Sequence, residues 1–457
     1  MRENRILAFT ESVCPVCLAK IRARRIARRE QVYLEKTCPE HGSFQTVIWR
    51  GDPAMDTWVR PKTPAYPSNP ATQIEKGCPY DCGLCPDHRQ QTCCVLLEVT
   101  QRCDLKCPVC FADSPRRECP DPGLDVIKGW YRKLLETGGP FNIQLSGGEP
   151  CLRDDLPEII ALGKSLGFQF FQLNTNGLRI GRDSGYLAAL KSAGLSTVYL
   201  QFDGTRDEIY EQIRGRRLLE KKIAAIEQCA NQNIGTVLVP TLIPGVNTED
   251  IGNILDFGLK YMPVVRGVHF QPQSFFGRYP SAPDNDSRIT IPEIIRAIDS
   301  QTGGRFPGEC FLPPGGENAL CSFHGNFVLM PDGRLEPLLR RKDEPACCCC
   351  QPEDGAQGAT RSREFVAKNW TFPASGEEQP EMETPGLGEW DVFMARTRTH
   401  LFCISGMAFM DAWNLDLERL KDCYIHVMSP DGKLVPFCAY NLTNTRGEAL
   451  YRNQPAR

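Results

Sequence analysis

Short apolar runs alternate with amphipathic stretches through the middle of the chain. The runs at 95–99, 142–145, 169–173, 197–202, 236–239 and 267–270 predict strands. Between them, apolar positions recur at helical spacing over 126–136, 156–166, 186–192, 220–232 and 248–260. Parallel strands need crossover connections, so this alternation implies a parallel sheet with helices on its outer face. Six units predict an α/β fold built as a partial (β/α)6 barrel. Ligands of such folds bind at the C-terminal ends of the strands.

The alternation fails at both ends. Near the N-terminus, Cys14-Pro-Val-Cys17 is followed by a basic segment and then by Cys38-Pro-Glu-His41-Gly. Two such knuckles can wrap one tetrahedral ion, with Cys14, Cys17, Cys38 and His41 as donors. Residues 51–71 are proline-rich and read as a linker. Beyond about residue 275, proline and glycine clusters dominate, with a polar stretch at 351–363 and a Gly/Glu/Pro-rich one at 375–388. Cysteines then return at Cys403, Cys423 and Cys438. The predicted division is a zinc-ribbon or rubredoxin-like knuckle (1–55), a linker with a cysteine motif (56–94), the barrel (95–275) and a cysteine-bearing extension (276–457).

Composition narrows the function classes. A net charge of -3 gives no basic field for nucleic acid. No apolar run reaches the roughly 18 residues of a membrane helix, and the first residues lack a signal peptide's apolar stretch, so the expectation is a cytoplasmic protein. The 23 cysteines fall into tight groups, which in a long cytosolic chain favours metal binding over disulfides.

Within a few residues of the first strand comes Cys103-Asp-Leu-Lys-Cys107-Pro-Val-Cys110. Three thiolates can hold three irons of a cubane and leave the fourth open, where a cluster normally takes four cysteines. The second strand runs into Ser146-Gly147-Gly148-Glu149-Pro150, whose glycines permit close backbone approach to a ligand. The third ends in Asn174-Thr175-Asn176-Gly177 and the fourth in Gln201-Phe202-Asp203-Gly204, with Thr241 and Gln271 after the fifth and sixth. Singly these are turns and caps. In this order, at strand ends, they point to one ligand site.

This segment resembles the radical S-adenosylmethionine (SAM) superfamily, with Phe111 as the aromatic residue beside the last motif cysteine. The resemblance implies a 4Fe-4S cluster on Cys103, Cys107 and Cys110 that chelates SAM, and one-electron cleavage to a 5'-deoxyadenosyl radical. It also implies SAM contacts from Ser146, Gly147, Gly148, Glu149, Asn174, Asn176, Gln201 and Asp203, with Thr241 and Gln271 as further ones. A donor such as ferredoxin or flavodoxin would supply the electron.

A second copy lies upstream, Cys78-Pro-Tyr-Asp-Cys82-Gly-Leu-Cys85, with Cys93 and Cys94 just before the first strand. The doubled motif behind a metal knuckle resembles the archaeal tetraether lipid synthases and class D radical SAM methylases. Thr92-Cys93, Cys321-Ser-Phe-His-Gly325 and Pro436-Phe-Cys438-Ala-Tyr-Asn441 extend that likeness. Only the second copy follows a strand and precedes the Ser146–Pro150 turn, so it takes the SAM cluster. The first becomes an auxiliary cluster with Cys93 as fourth ligand, and the resemblance implies a further cluster on Cys321, Cys403, Cys423 and Cys438. For the knuckle the resemblance implies iron, whereas His41 favours zinc. Cys119, Cys151, Cys229 and Cys310 read as structural thiols, and four adjacent thiols at 347–350 cannot all face one ion.

The functional expectation is a radical enzyme that activates a carbon–hydrogen bond, coupling lipid chains as a tetraether synthase does and working at a membrane surface if so. Methylation of a small molecule such as a pterin is the alternative. A non-catalytic multi-cluster electron carrier is the remote third, because a carrier needs neither an open iron nor the polar strand ends. Phe170-Phe171, Val264-Val265, Phe275-Phe276 and Phe409-Met410 can line a lipid tunnel, though a plain core explains them more simply.

Overall fold

The first four strands, β1 (Arg5–Val13), β2 (Lys20–Arg28), β3 (Gln31–Cys38) and β4 (Gly42–Arg50), form an antiparallel meander in that order. Alternation explains it: on β2, Ile21, Ala23 and Ile26 are buried while Lys20, Arg22 and Arg24 face solvent. The computed structural model describes residues 4–114, 120–341, 352–373 and 388–452. Cys119, the thiols at 347–350 and the stretch from 375 to 387 lie outside the described residues.

After β5 (Lys62–Thr63) the chain enters the main sheet through β6 (Cys94–Thr100), β7 (Asn142–Gly147), β8 (Phe171–Thr175), β9 (Thr197–Gln201) and β10 (Gly235–Val239). β11 (Thr241–Leu242) and β12 (Val265–Pro272) follow, then β13 (Ser322–Leu329), β14 (Leu335–Pro337), β15 (Glu353–Asp354), β16 (Leu401–Met407), β17 (Ile425–Met428) and β18 (Leu434–Pro436). The order is β14-β13-β16-β12-β10-β9-β8-β7-β6-β17-β18. From β16 to β17 every neighbouring pair is parallel. The six central strands are those the apolar runs predict. Residues beyond 275 add β16 and β17 to the two flanks of that set, which covers edges a bare six-stranded sheet would leave unpaired.

Helices Leu124–Glu136, Leu156–Ser165, Ser184–Ala193, Leu219–Asn231 and Ile251–Lys260 make the crossovers. Their apolar stripes pack on the sheet in one core that includes Tyr131, Leu134, Ile159, Phe171, Ile226 and Leu255. The Ser184–Ala193 helix shows the local logic: Asp183 accepts from the Tyr186 amide at its start, and Gly194 at φ +110° ends it. Helices Asp207–Arg214 and Ile291–Gln301 are additions to the sequence reading. No described helix is long and apolar enough to cross a membrane.

The N-terminal meander docks on the C-terminal segment through buried polar contacts. Thr10 donates to Asp416 at 2.7 Å, Arg25 donates to the same carboxylate at 2.7 Å, and Lys36 donates to the Ala412 carbonyl at 2.7 Å.

Candidate active site

A cavity of about 290 Å³ lies against the inner face of the sheet. Cys103, Cys107 and Cys110 line it, together with Ser146, Gly147, Gly148 and Glu149. Burial pushes the Cys103 thiol up to about 12 and raises Cys107, where the Arg214 charge opposes the burial. Thiols so placed ionise only beside a cation, which metal coordination supplies. Three of them on one loop, facing one cavity, fit a cluster with an open corner.

Backbone contacts sew that loop in place. Gly148 donates to the Thr100 carbonyl at 2.8 Å and Glu149 to the Arg102 carbonyl at 2.7 Å. Cys110 and Arg278 exchange backbone hydrogen bonds at 2.9 and 3.0 Å, and Asn176 Nδ2 donates to Asp104 at 2.7 Å. The chain itself requires these glycines. A Cβ at 147 would lie 2.1 Å from the Thr100 oxygen, and one at 148 would lie 2.0 Å from the Arg102 oxygen. Glu149 is spent in the same way, accepting from Cys151 N at 3.0 Å, Thr175 Oγ1 at 2.7 Å and Asn176 N at 2.7 Å.

Asn174, Asn176, Gln201, Thr241 and Gln271 line the cavity as well. Asp203 does not. It is fully buried beneath the cavity wall, gripped by Arg214 at 2.7 Å through both oxygens, and it is Arg214 that reaches the cavity. No sequence signal singles out Arg214, because the contact depends on where a helix lands.

Inward positions on β7, β8, β9 and β12 are mostly polar, whereas Leu96, Val239, Met407 and Ile425 face the cavity from β6, β10, β16 and β17. Asn142, Gln144 and Ser146 on β7, Gln172 and Asn174 on β8, Tyr199 and Gln201 on β9, and His269 and Gln271 on β12 all line the cavity. Interiors of parallel barrels are ordinarily filled by branched apolar side chains. Phe111, Phe276, Phe409 and Phe437 wall another side, whereas Phe171, Val265, Phe275 and Met410 are packed in core.

The remaining thiols sort by geometry. Cys14, Cys17, Cys38 and His41 present ligand atoms within 4.8 Å of one another, as a single ion requires. Cys17 and Cys38 sulfurs are 4.0 Å apart, and His41 Nδ1, 3.5 Å from Cys38, brings that thiol down to about 6. Cys78, Cys82 and Cys85 act on one another's ionisation. Cys93, expected with them, instead lines the cavity beside Cys94, where burial holds it at about 12. Cys321, Cys423 and Cys438 interact likewise, with Arg419 Nη2 at 3.5 Å from Cys321. Cys403 is apart from them, on β16 among Val328, Met330 and Leu401. Cys151, Cys229 and Cys310 are buried in the core.

Residues 97–258 match the family model of the radical SAM superfamily, and residues 6–50 match the HMPTM N-terminal zinc ribbon domain. The chain is 34% identical to a 7,8-dihydro-6-hydroxymethylpterin dimethyltransferase of Methanocaldococcus jannaschii, over 94% of this chain and 93% of that one. It is 27% identical to a probable GTP 3',8-cyclase of Methanothermobacter marburgensis, over 56% of this chain and 87% of that one. Streptococcus suis SuiB bound to S-adenosylmethionine aligns at a TM-score of 0.38 and 14% identity, covering 47% of this chain and 48% of that one.

Proposed function

From the premise that this chain belongs to the radical SAM superfamily, we propose that it is a methyltransferase of the class D kind acting on a small polar acceptor. A 4Fe-4S cluster with bound SAM supplies a 5'-deoxyadenosyl radical able to take hydrogen from an unactivated carbon. In this reading Cys103, Cys107 and Cys110 hold the cluster, and Ser146, Asn174, Gln201, Thr241, Gln271 and Arg214 are the polar groups offered to SAM and acceptor. Glu149 and Asn176 act indirectly, by fixing the loops. Cys14, Cys17, Cys38 and His41 hold a structural ion, with zinc favoured by the ribbon match. Cys78, Cys82 and Cys85, and Cys321, Cys423 and Cys438, are the auxiliary cluster sets.

The observation that carries the acceptor class is the polar inner wall. Lipid chains bind by burying apolar surface in a long channel. Here β7, β8, β9 and β12 turn six carboxamides into the cavity, those of Asn142, Gln144, Gln172, Asn174, Gln201 and Gln271. That wall, together with the pterin-methylating relative, supports methylation over the lipid coupling expected first. The test is anaerobic incubation of the iron-loaded protein with SAM, dithionite and 7,8-dihydro-6-hydroxymethylpterin, followed by mass spectrometry. Methylated pterin is the expected product, and methyl-labelled SAM reports where its carbon comes from. If the same assay joins lipid chains from a lipid extract and leaves pterins untouched, the proposal fails.

A further inference from the structure

We infer that the lower part of the cavity is a subsite that reads the edge of a flat, uncharged nitrogen heterocycle, through Gln144, Gln172, Asn174 and His269 over a floor formed by Tyr199 and Trp370. The inference rests on the small-acceptor reading above, whose pterin supplies the ring class, and adds the residues that select it.

The carboxamides form one continuous surface. Gln144 on β7 and Gln172 on β8 are register partners, so their side chains lie side by side on one face. Asn174 is two residues on from Gln172, and their amides join at 3.0 Å, leaving the other end of each available. Asn174 is in turn the register partner of Tyr199 on β9. Gln144 is half-buried in the cavity wall and its amide has no hydrogen-bond partner among the described residues. Gln144 therefore presents a free amide to the cavity, which a ligand can complete.

The floor is aromatic and the remaining polar atom is neutral. Tyr199 stacks on Trp370 at 5.7 Å and 19°, and His269 meets Trp370 edge-on at 6.3 Å. Ser405 Oγ is 2.8 Å from His269 Nδ1, which leaves Nε2 as the ring atom free to face a ligand. Burial holds this imidazole at about 3, so it meets a ligand uncharged. Arg214 is the one Lys or Arg among the described residues that line the cavity, and it lies at the thiol end. A phosphorylated ligand would therefore find no cation at the floor. An acyl chain would leave the amides unpaired. A planar ring with alternating donors and acceptors satisfies the amides and covers the aromatic floor.

The test uses the iron-loaded protein with SAM and two probes, 6-hydroxymethylpterin and 6-hydroxymethyllumazine, which differ only at the edge in question because the lumazine carries an oxo group in place of the pterin 2-amino group. Wild type is expected to bind the pterin at least tenfold more tightly by calorimetry. Gln144→Met, Gln172→Met and His269→Phe are each expected to weaken pterin binding tenfold or more and to narrow the preference over the lumazine, with iron content and melting temperature reporting folding. Because the wild-type preference needs no variant, misfolding of a variant does not remove the test. Equal wild-type affinity for the two probes overturns the inference. Pterin that is bound and methylated while all three folded variants bind it normally overturns the subsite alone. Methylation of some other small acceptor with no pteridine binding overturns the ring class and leaves the methyltransferase reading standing.

Discussion

Arg214 holds both carboxylate oxygens of Asp203 at 2.7 Å, Asp203 is fully buried and Arg214 nearly so, and the pair lies beneath the loop that carries Cys107. Such a pair is costly to half-remove, because the partner left behind is a buried, uncompensated charge. Asp203→Ala is expected to cost about 3–5 kcal/mol of stability, whereas Asp203→Leu combined with Arg214→Met should cost much less. Denaturant unfolding of the two variants checks this. A single variant as stable as the double one would mean that the pair is not the strut the geometry describes.

The six central strands and their crossover helices were legible because each is a short apolar run followed by helical spacing. The polar wall was legible too, in a form easy to pass over. Strands buried on both faces should read as continuous apolar runs, yet Asn142-Ile-Gln-Leu-Ser146 and Phe171-Gln-Leu-Asn174 alternate. Other features carried little or no local signal. Asp207–Arg214 is only eight residues long, though Ile209, Tyr210 and Ile213 at helical spacing and Gly215 at its end do mark it, and β17 is four residues long amid cysteines and turns. The resemblance puts Cys403 with Cys321, Cys423 and Cys438, but sequence separation holds no information on distance, and the register of β16 against β12 places Cys403 opposite Gly267 instead.

Gly148 offers a second test of how the site is built. With a Cβ 2.0 Å from the Arg102 oxygen and 2.7 Å from its carbonyl carbon, Gly148→Ala forces backbone against backbone. Loss of the cluster carried by the Cys103 loop is expected, read as reduced iron and destabilisation. Gly215→Ala is the control. Its φ is +74° with nothing within 4 Å of the added carbon, so it should cost only about 1 kcal/mol. Full iron in folded Gly148→Ala would show that the turn and the loop can separate without harm.

Acid should unfold the protein by a route visible in its histidines. Burial holds His88 at about 4 and His269 at about 3, and His426 well below its ordinary value; His88 and His426 meet edge-on at 5.0 Å. In the unfolded chain each takes a proton near pH 6.5, while the folded protein refuses it. Stability from these groups is therefore full above about pH 6.5 and falls as pH drops toward 4, by about 1.4 kcal/mol per pH unit for each proton. These three imidazoles should make unfolding at pH 5.5 take up about two and a half protons more than unfolding at pH 8. Equal uptake at the two pH values would mean that these imidazoles are charged in the folded state.

The two C-x3-C-x2-C copies make the last prediction. Cys103, Cys107 and Cys110 face the cavity beside the Ser146–Glu149 turn, whereas Cys78, Cys82 and Cys85 are not among its lining residues. Position relative to the substrate space, rather than motif, should decide which cluster meets SAM. Cys107→Ala is expected to abolish 5'-deoxyadenosine formation under reducing, oxygen-free conditions while losing only about one cluster's four irons. Cys82→Ala should lose a similar amount of iron, yet the remaining cavity cluster should still change its electron paramagnetic resonance signal when SAM is added. The Cys14, Cys17, Cys38 and His41 ion should survive in both, since its donors are complete without either loop. Measuring iron, zinc and the SAM-induced spectral change in the two variants separates the roles. SAM cleavage that persists in Cys107→Ala and disappears in Cys82→Ala would transfer the catalytic cluster to the upstream copy, and the cavity would then have to be reached from Cys78, Cys82 and Cys85.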